Sequence, residues 1–166
     1  MKKIIFAFVA LSILSYTCRA QEKKKIYTSD LGNYSIEYLG EFTESIKEAE
    51  RSKTYKISFK SNTVSYLITG TNHFEDLEKS IEEFLRISIN RFVESVKGIV
   101  VEQNDVTLGN VKGKYCLINL SESNVKIELY TYMKGNYHFQ LVAYADSESY
   151  NQEEANRVFN SFKVLK

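Results

Sequence analysis

The chain has 166 residues, 26% of them charged and 13% aromatic, with seven glycines and no proline, a composition typical of a single globular domain. The lack of proline excludes collagen-like and proline-rich classes, and two cysteines are too few for a disulfide scaffold. A formal net charge of +1 argues against nucleic-acid binding, which needs a basic surface.

The amino terminus has the pattern of a secretory signal peptide. Lys2 and Lys3 precede the apolar run Ile4–Leu14, and a segment rich in small residues extends to Ala20. A membrane-spanning helix needs about 20 apolar residues, so this run is too short to be a permanent anchor. We therefore interpret residues 1–20 as a signal peptide and residues 21–166 as one domain that is periplasmic or secreted.

Two processing routes compete at this segment. Cys18 and Ala20 place small side chains at the two positions that a signal peptidase reads, which predicts cleavage between Ala20 and Gln21. The alternative is acylation of Cys18, which would attach the protein to a membrane. The residues before Cys18 match a lipobox poorly, with Leu14 one place too early, and the soluble form is therefore favoured.

Short strands are predicted for the first part of the domain, separated by glycine and asparagine turn signals. They are Ile26–Ser29, Tyr34–Leu39, Tyr55–Lys60 and Thr63–Thr69. The segment Glu41–Lys53 is charged and lacks a sustained period, which favours a loop with room for one helical turn.

A long amphipathic helix is predicted over Phe74–Val96. Asn72 and Glu75 have the spacing of a capping box, and Gly98 is a suitable left-handed stop. The opposite face carries acidic and basic residues together, whereas a membrane-surface helix would be basic there, so the stripe is expected to pack on a core. The apolar stripe consists of Phe74, Leu77, Ile81, Phe84, Leu85, Phe92, Val93 and Val96.

Four further strands and a short helix complete the chain. The strands are Ile99–Leu108, Val111–Ser121, Val125–Lys134 and Tyr137–Ala145, and the helix is Gln152–Ser161 with Asn151 and Glu154 as a capping pair. Strands joined by hairpins on both sides of one long helix predict an α+β fold, in which an antiparallel sheet is flanked by helices.

The last hairpin permits a prediction of register. A three-residue loop would pair Met133 with Tyr137 and keep one face of the hairpin apolar. The other face would then carry Tyr130, Tyr132 opposite His138, and Tyr144. We regard these four residues as a candidate partner or ligand surface, because tyrosines are enriched at binding sites. The competing interpretation is that the C-terminal helix covers this face.

The chain resembles the PsbP-like superfamily, which includes the photosystem extrinsic subunit and bacterial DcrB-like envelope proteins. The residues that carry the resemblance are the segments Asn33–Tyr38, Phe74–Leu77, Val106–Gly113, Tyr137–Tyr144 and Val158–Phe162. The resemblance implies an α-β-α sandwich around an antiparallel sheet and a role in supporting larger assemblies without catalysis. It assigns no functional residue, because these segments are packing and turn signatures.

Motifs for catalysis and cofactor binding are weak throughout. The chain has no G-x-S-x-G elbow, P-loop or dinucleotide fingerprint, and Cys116 lies in an apolar strand where a buried thiol is expected. His73 and His138 are far apart and lack a ligand partner at helical spacing, so neither a metal nor a cofactor is predicted. The adjacent acidic pairs Glu82–Glu83 and Glu153–Glu154 are interpreted as solvated helix surface.

These observations predict an exported, non-enzymatic accessory protein of the cell envelope with an unidentified envelope protein as partner. The first alternative is a small-molecule carrier whose pocket is lined by Tyr130, Tyr132 and Tyr144. A second is an enzyme whose carboxylates converge only in the folded chain. The oligomeric state is left open.

Overall fold

The computed structural model describes residues 24–75, 80–120 and 122–165. The signal-cleavage residues Ala20 and Gln21 and the acylation candidate Cys18 lie outside these ranges. In chain order the described elements are β1 (Lys25–Ser29), β2 (Tyr34–Tyr38), β3 (Phe42–Ala49), β4 (Ser52–Ser61), β5 (Val64–His73), α1 (Ile81–Val96), β6 (Gly98–Leu108), β7 (Val111–Leu120), β8 (Val125–Lys134), β9 (Tyr137–Asp146), α2 (Gln152–Asn160) and β10 (Lys163–Val164).

The strands form two antiparallel sheets. A seven-stranded sheet has the order β3-β4-β5-β9-β8-β7-β6, and a three-stranded sheet has the order β1-β2-β10. Four hairpins of the large sheet close through two-residue turns, and in three of them the first turn residue, Asn62, Gly109 or Gly135, has positive φ. Asparagine and glycine adopt this backbone conformation readily, so the turn signals in the sequence fix where the strands end.

The large sheet is covered on both faces. Helix α1 packs on β6, β7 and β8 over one buried cluster. On the other face, α2 and the three-stranded sheet enclose a second and larger cluster. The two helices therefore lie on opposite faces, but most of the second outer layer is sheet, and the fold contains more strand than the predicted α-β-α sandwich. The clusters include Ile89, Cys116, Ile118 and Leu129 on the α1 face and Tyr34, Ile36, Phe139, Phe159 and Phe162 on the other.

The predicted loop over Glu41–Lys53 was wrong, since most of it forms strand β3. Strand β3 pairs with β4 along its full length, from Phe42–Phe59 to Ala49–Ser52. Every residue of β3 is exposed because it is an edge strand. An exposed edge strand does not need alternating apolar residues, which is why this segment has no period-two pattern.

The start of the long helix was also placed wrongly. Asn72 and His73 belong to β5, and the backbone N–H of His73 donates to the carbonyl of Asn136 at 2.8 Å. Helix α1 begins at Ile81, after the N-cap residue Ser80. At its other end Lys97, not Gly98, adopts the left-handed conformation, with φ 52°, and Gly98 opens β6. Over the described ranges, neither helix is long and apolar enough to cross a bilayer.

The cap of the last helix is confirmed. The Asn151 side-chain oxygen accepts a hydrogen bond from the backbone N–H of Glu154 at 3.0 Å, at the start of α2. This bond satisfies one of the free N–H groups of the first helical turn. Helix α2 then places Val158 and Phe159 in the larger core cluster.

Candidate functional site

The four residues of the predicted aromatic surface lie on two faces of the large sheet. The β8–β9 turn has two residues, Gly135 and Asn136, so Tyr132 is opposite Phe139, and His138 is opposite Met133. The three-residue loop was therefore wrong. The prediction assumed that one face had to be wholly apolar, but both faces are covered and each accommodates polar groups that find partners. Because side chains alternate along strands, Tyr130 and Tyr132 face α2, while His138 and Tyr144 face the α1 side.

Tyr130 and Tyr132 belong to the packed interior. The Tyr132 ring lies 6.4 Å from that of Phe162 in a stacked arrangement, and the Tyr130 ring lies 4.8 Å from that of Phe159. Tyr132 is 7% exposed, and this burial raises the pKa of its phenol. Helix α2 therefore contacts Tyr130 through Phe159, whereas the ring that packs on Tyr132 is Phe162, which follows the helix.

Tyr144 is 44% exposed on the opposite face. It borders a shallow depression of about 330 Å³ together with Thr43, Ser58 and Ser65. Because the sheet separates Tyr144 from Tyr130 and Tyr132, these three tyrosines do not line one cavity. The pocket that the carrier alternative requires is therefore not formed by these residues.

His138 lies under α1 in a hydrogen-bonded cluster that the sequence did not indicate. Its Nε2 atom is 2.7 Å from the Thr131 hydroxyl and 3.2 Å from the Ser88 hydroxyl. The Gln140 amide also donates to Ser88 at 3.1 Å. Burial, together with the nearby His73, lowers the pKa of His138 to about 3. A neutral imidazole with so low a pKa is a weak proton acceptor, so the cluster is suited to joining α1 to the sheet.

Other predicted chemical groups are also placed by the structure. Cys116 is fully buried, as expected, and burial raises the pKa of its thiol, which opposes thiolate reactivity. His73 lies within 6.2 Å of His138, ring to ring. Among the residues that the structure describes, no three His, Cys, Asp or Glu side chains are grouped to hold a metal ion.

A groove that sequence reasoning missed lies between the two sheets. It encloses about 580 Å³ between the end of β1, with the turn that follows, and strands β3 and β4. The Tyr27 hydroxyl donates to the Glu44 carboxylate across it at 3.0 Å. Tyr55 and the exposed Ile46 also line it. The groove depends on β3, for which the sequence predicts a loop, so the sequence contains no signal for the groove.

The outer edges of the large sheet differ in character. Directly after Gly98, edge strand β6 has three consecutive exposed apolar residues, Ile99, Val100 and Val101, which are 59%, 43% and 56% exposed. A register shift between Val100 and Glu102 leaves Val101 without a partner on β7. The other edge, β3, carries charged residues along its length. Charged residues on an edge strand oppose its pairing with another chain, whereas exposed apolar residues there favour contact with another chain.

Comparisons with known proteins give a fold but no family. No protein-family model matches the sequence, and no curated protein matches it significantly. The solution structure of cyanobacterial PsbP (CyanoP) from Synechocystis sp. PCC 6803 matches with a TM-score of 0.60 and 6% identity, over 86% of this chain and 93% of that one.

A crystal structure from Bacteroides thetaiotaomicron VPI-5482 matches with a TM-score of 0.51 and 16% identity, over 86% of this chain. The match spans about half, 48%, of that longer protein. At these identities the likeness concerns the backbone arrangement alone. The chain therefore has a PsbP-like fold.

Proposed function

We propose that the protein is an exported, non-enzymatic accessory protein of the cell envelope, and that it binds a protein partner through the first part of β6. The single observation that carries the proposal is the exposed apolar run Ile99–Val101 on a free sheet edge. Contiguous exposed apolar side chains are uncommon on monomeric proteins and mark interaction sites.

The contrast between the two edges supports this choice of surface. In β3 the charged residues Glu44, Lys47 and Glu48 interrupt any apolar run, which protects that edge from other strands. The start of β6, from Gly98 to Val101, lacks such charges, and Glu102 is the first charged residue of the strand. The bulge at Val101 interrupts regular pairing, so the partner is expected to pack on the apolar side chains rather than extend the sheet along all of β6.

The export part of the proposal rests on the signal-peptide pattern of residues 1–20 and on the PsbP-like resemblance. It is tested by mass spectrometry of the protein purified from the cells that make it. A mass that begins at Gln21 supports the soluble exported form. A diacyl mass on Cys18 would replace it with a membrane-attached form, and a mass that includes residues 1–20 would refute export.

The partner surface is tested by site-specific photo-crosslinking in those cells. A photoreactive amino acid replaces Val101, and the matched control carries it at Lys47, on the opposite edge of the sheet. We expect one adduct of defined mass from position 101 and none from position 47. Equal labelling at both positions, or none at position 101, would refute the partner surface. An adduct of twice the chain mass would identify a second copy of this chain and overturn the heterologous partner.

A further inference from the structure

We propose that Lys126 and Gln152 become joined by an isopeptide bond that the folded chain forms by itself, and that the buried Glu128 moves the protons of this reaction. The bond would tie strand β8 to the first residue of α2. It is independent of the partner surface proposed above, because it uses no residue of β6. The inference rests on the contacts that each of these three side chains makes with the other two.

The amine and the amide that would react are in direct contact. The Lys126 ammonium donates to the side-chain carbonyl of Gln152, with Nζ 2.7 Å from Oε1. The amide nitrogen of Gln152 donates to Glu128 Oε2 and to Asn156 Oδ1, each at 3.1 Å. A glutamine amide has two N–H donors and one carbonyl. Because both donors are engaged elsewhere, the carbonyl of Gln152 is held towards Lys126.

Glu128 contacts both of the reacting nitrogen atoms. Its Oε1 atom lies 3.3 Å from Lys126 Nζ, while its Oε2 atom accepts from the amide nitrogen of Gln152. The side chain of Glu128 is 2% exposed and that of Lys126 is 23% exposed. Charges withdrawn from water are costly, and transfer of a proton from Lys126 to Glu128 leaves both groups neutral. Glu128 is therefore placed to act as a general base towards the amine.

Tyrosine side chains enclose this group. Lys126 Nζ lies over the Tyr150 ring, 4.3 Å from its centroid, and the Tyr115 hydroxyl donates to Glu128 Oε1 at 3.4 Å. Burial, together with the charge of Glu128, raises the pKa of Tyr115, so this hydroxyl keeps its proton. The neighbours thus restrict the amine, the carboxylate and the amide to one arrangement. Such positioning accelerates reactions that are slow between separate molecules.

The reaction balances without any other reagent. Glu128 takes a proton from the Lys126 ammonium, and the free amine attacks the side-chain carbonyl carbon of Gln152 to form a new carbon–nitrogen bond. Glu128 passes the proton to the amide nitrogen of Gln152, the original carbon–nitrogen bond breaks, and ammonia leaves. The second proton lost by the amine passes through Glu128 to the ammonia, which is released as ammonium. The product is a secondary amide, and the Glu128 carboxylate is regenerated.

The bond would supply a covalent link that cysteines do not supply in this fold. Cys116 is the only cysteine among the residues that the structure describes, and it is free and buried. Lys126 and Gln152 are 26 positions apart, so their linkage closes a loop that contains β9. A covalent link of this kind stabilises a fold largely by restricting the unfolded chain.

The test is mass spectrometry of the mature chain before and after digestion with trypsin. Bond formation removes one ammonia, about 17 Da, but cyclisation of an N-terminal Gln21 would remove the same mass, so the bond has to be located. Trypsin cannot cut after a crosslinked Lys126, and we expect a branched peptide that joins residues 115–134 to residues 135–157. Separate peptides of unmodified mass, 115–126 and 135–157, with no branched peptide, would overturn the proposal.

Three variants assign the roles of the side chains. Glu128→Gln cannot carry the protons and should reduce the yield of branched peptide by at least about tenfold. Lys126→Arg keeps the positive charge but lacks the amine, and should give no branched peptide. Glu153→Gln is the matched control, because it removes an exposed carboxylate next to Gln152, and should leave the yield unchanged. A wild-type yield in Glu128→Gln, or a yield equally reduced in Glu153→Gln, would refute the role of Glu128, and circular dichroism of each variant separates loss of the bond from loss of fold.

Discussion

Acidification is expected to destabilise the fold through His138. The imidazole is 7% exposed and hydrogen-bonded to Thr131 and Ser88. Burial, with a smaller contribution from His73, lowers its pKa to about 3, against about 6.5 in the unfolded chain. Between these two values the unfolded chain binds a proton at His138 and the folded chain does not. This contribution to stability is therefore complete above about pH 6.5 and is lost as the pH falls towards 3.

The size of the effect follows from the two pKa values. Proton linkage gives a loss of roughly 1 kcal/mol between neutral pH and about pH 5.5, and of roughly 2 to 3 kcal/mol by about pH 4.5. The loss approaches its limiting slope of about 1.4 kcal/mol per pH unit below about pH 5.5. Typical domains have a total stability of about 5 to 15 kcal/mol, so a change of this size shifts a denaturation midpoint clearly.

The assay is urea denaturation at about pH 7.5, 5.5 and 4.5, on the wild-type chain and on His138→Gln. Glutamine retains a polar group near Thr131 but does not titrate. Carboxylate titration affects both proteins alike, so the difference in their pH dependence reports His138. His73→Gln is the comparison, since His73 is only partly buried and its pKa is lowered by burial alone. Parallel stability curves for the wild type and His138→Gln would refute the reasoning.

The remaining predictions concern packing, capping and the approach of the two sheets, and all are measured by denaturant unfolding. Tyr132→Ala should lower the free energy of unfolding by about 3 kcal/mol or more, because it removes a buried ring. Tyr144 is exposed, so Tyr144→Ala should change the free energy of unfolding by less than about 0.5 kcal/mol. Equal effects would contradict the placement of these two tyrosines on opposite faces of the sheet. Asn151→Ala removes the cap of α2 and should lower the free energy of unfolding by about 1 kcal/mol. An unchanged free energy would show that the cap is not formed. Gly70→Ala should lower the free energy of unfolding by about 1 to 3 kcal/mol, since the new Cβ would clash with the Gly32 carbonyl and lie 2.8 Å from Tyr34 Cδ1. An unchanged free energy would refute the close approach of the small sheet to β5.

The strands after α1 were predictable because their punctuation is local. Gly109–Asn110 and Gly135–Asn136 stand between apolar runs, and their backbone conformations require such residues. The cap formed by Asn151 was predictable for the same reason, since its partner is three residues away. Signals of this kind do not depend on the rest of the fold.

Elements defined by distant contacts were not predictable in this way. Strand β3 is exposed throughout, so hydrophobic periodicity could not reveal it. The predicted register of the β8–β9 hairpin is wrong because it assumes that one face of the hairpin is wholly apolar, whereas the buried His138 lies on a face with apolar residues. In the folded chain, Thr131 and Ser88 satisfy it, and Ser88 comes from a helix 50 residues earlier.

The two candidate sites also combine local signals with contacts between residues that are distant in the sequence. The apolar run Ile99–Val101 is visible in the sequence, but only the sheet order shows that it lies at a free edge. The groove requires more, because it joins Tyr27 of one sheet to Glu44 of the other. No pattern in one sequence indicates that these two residues, 17 positions apart, face each other.

The docking of the small sheet explains why a groove forms at this place. Gly70 lacks a side chain, and this allows the Gly32 carbonyl and the Tyr34 ring to rest directly on β5. The small sheet is thereby held against the middle of the large sheet by Tyr34 and Phe162, whose rings stack at 5.9 Å. Strand β3 lies two positions further out in the sheet order, and there the layers touch through the bond from Tyr27 to Glu44 and through the Phe42 ring, which packs against Tyr27 and Tyr38 at 5.2 and 5.0 Å. The backbone of the small sheet rests on β5, whereas side chains bridge the distance to β3, and the groove is the space left between them.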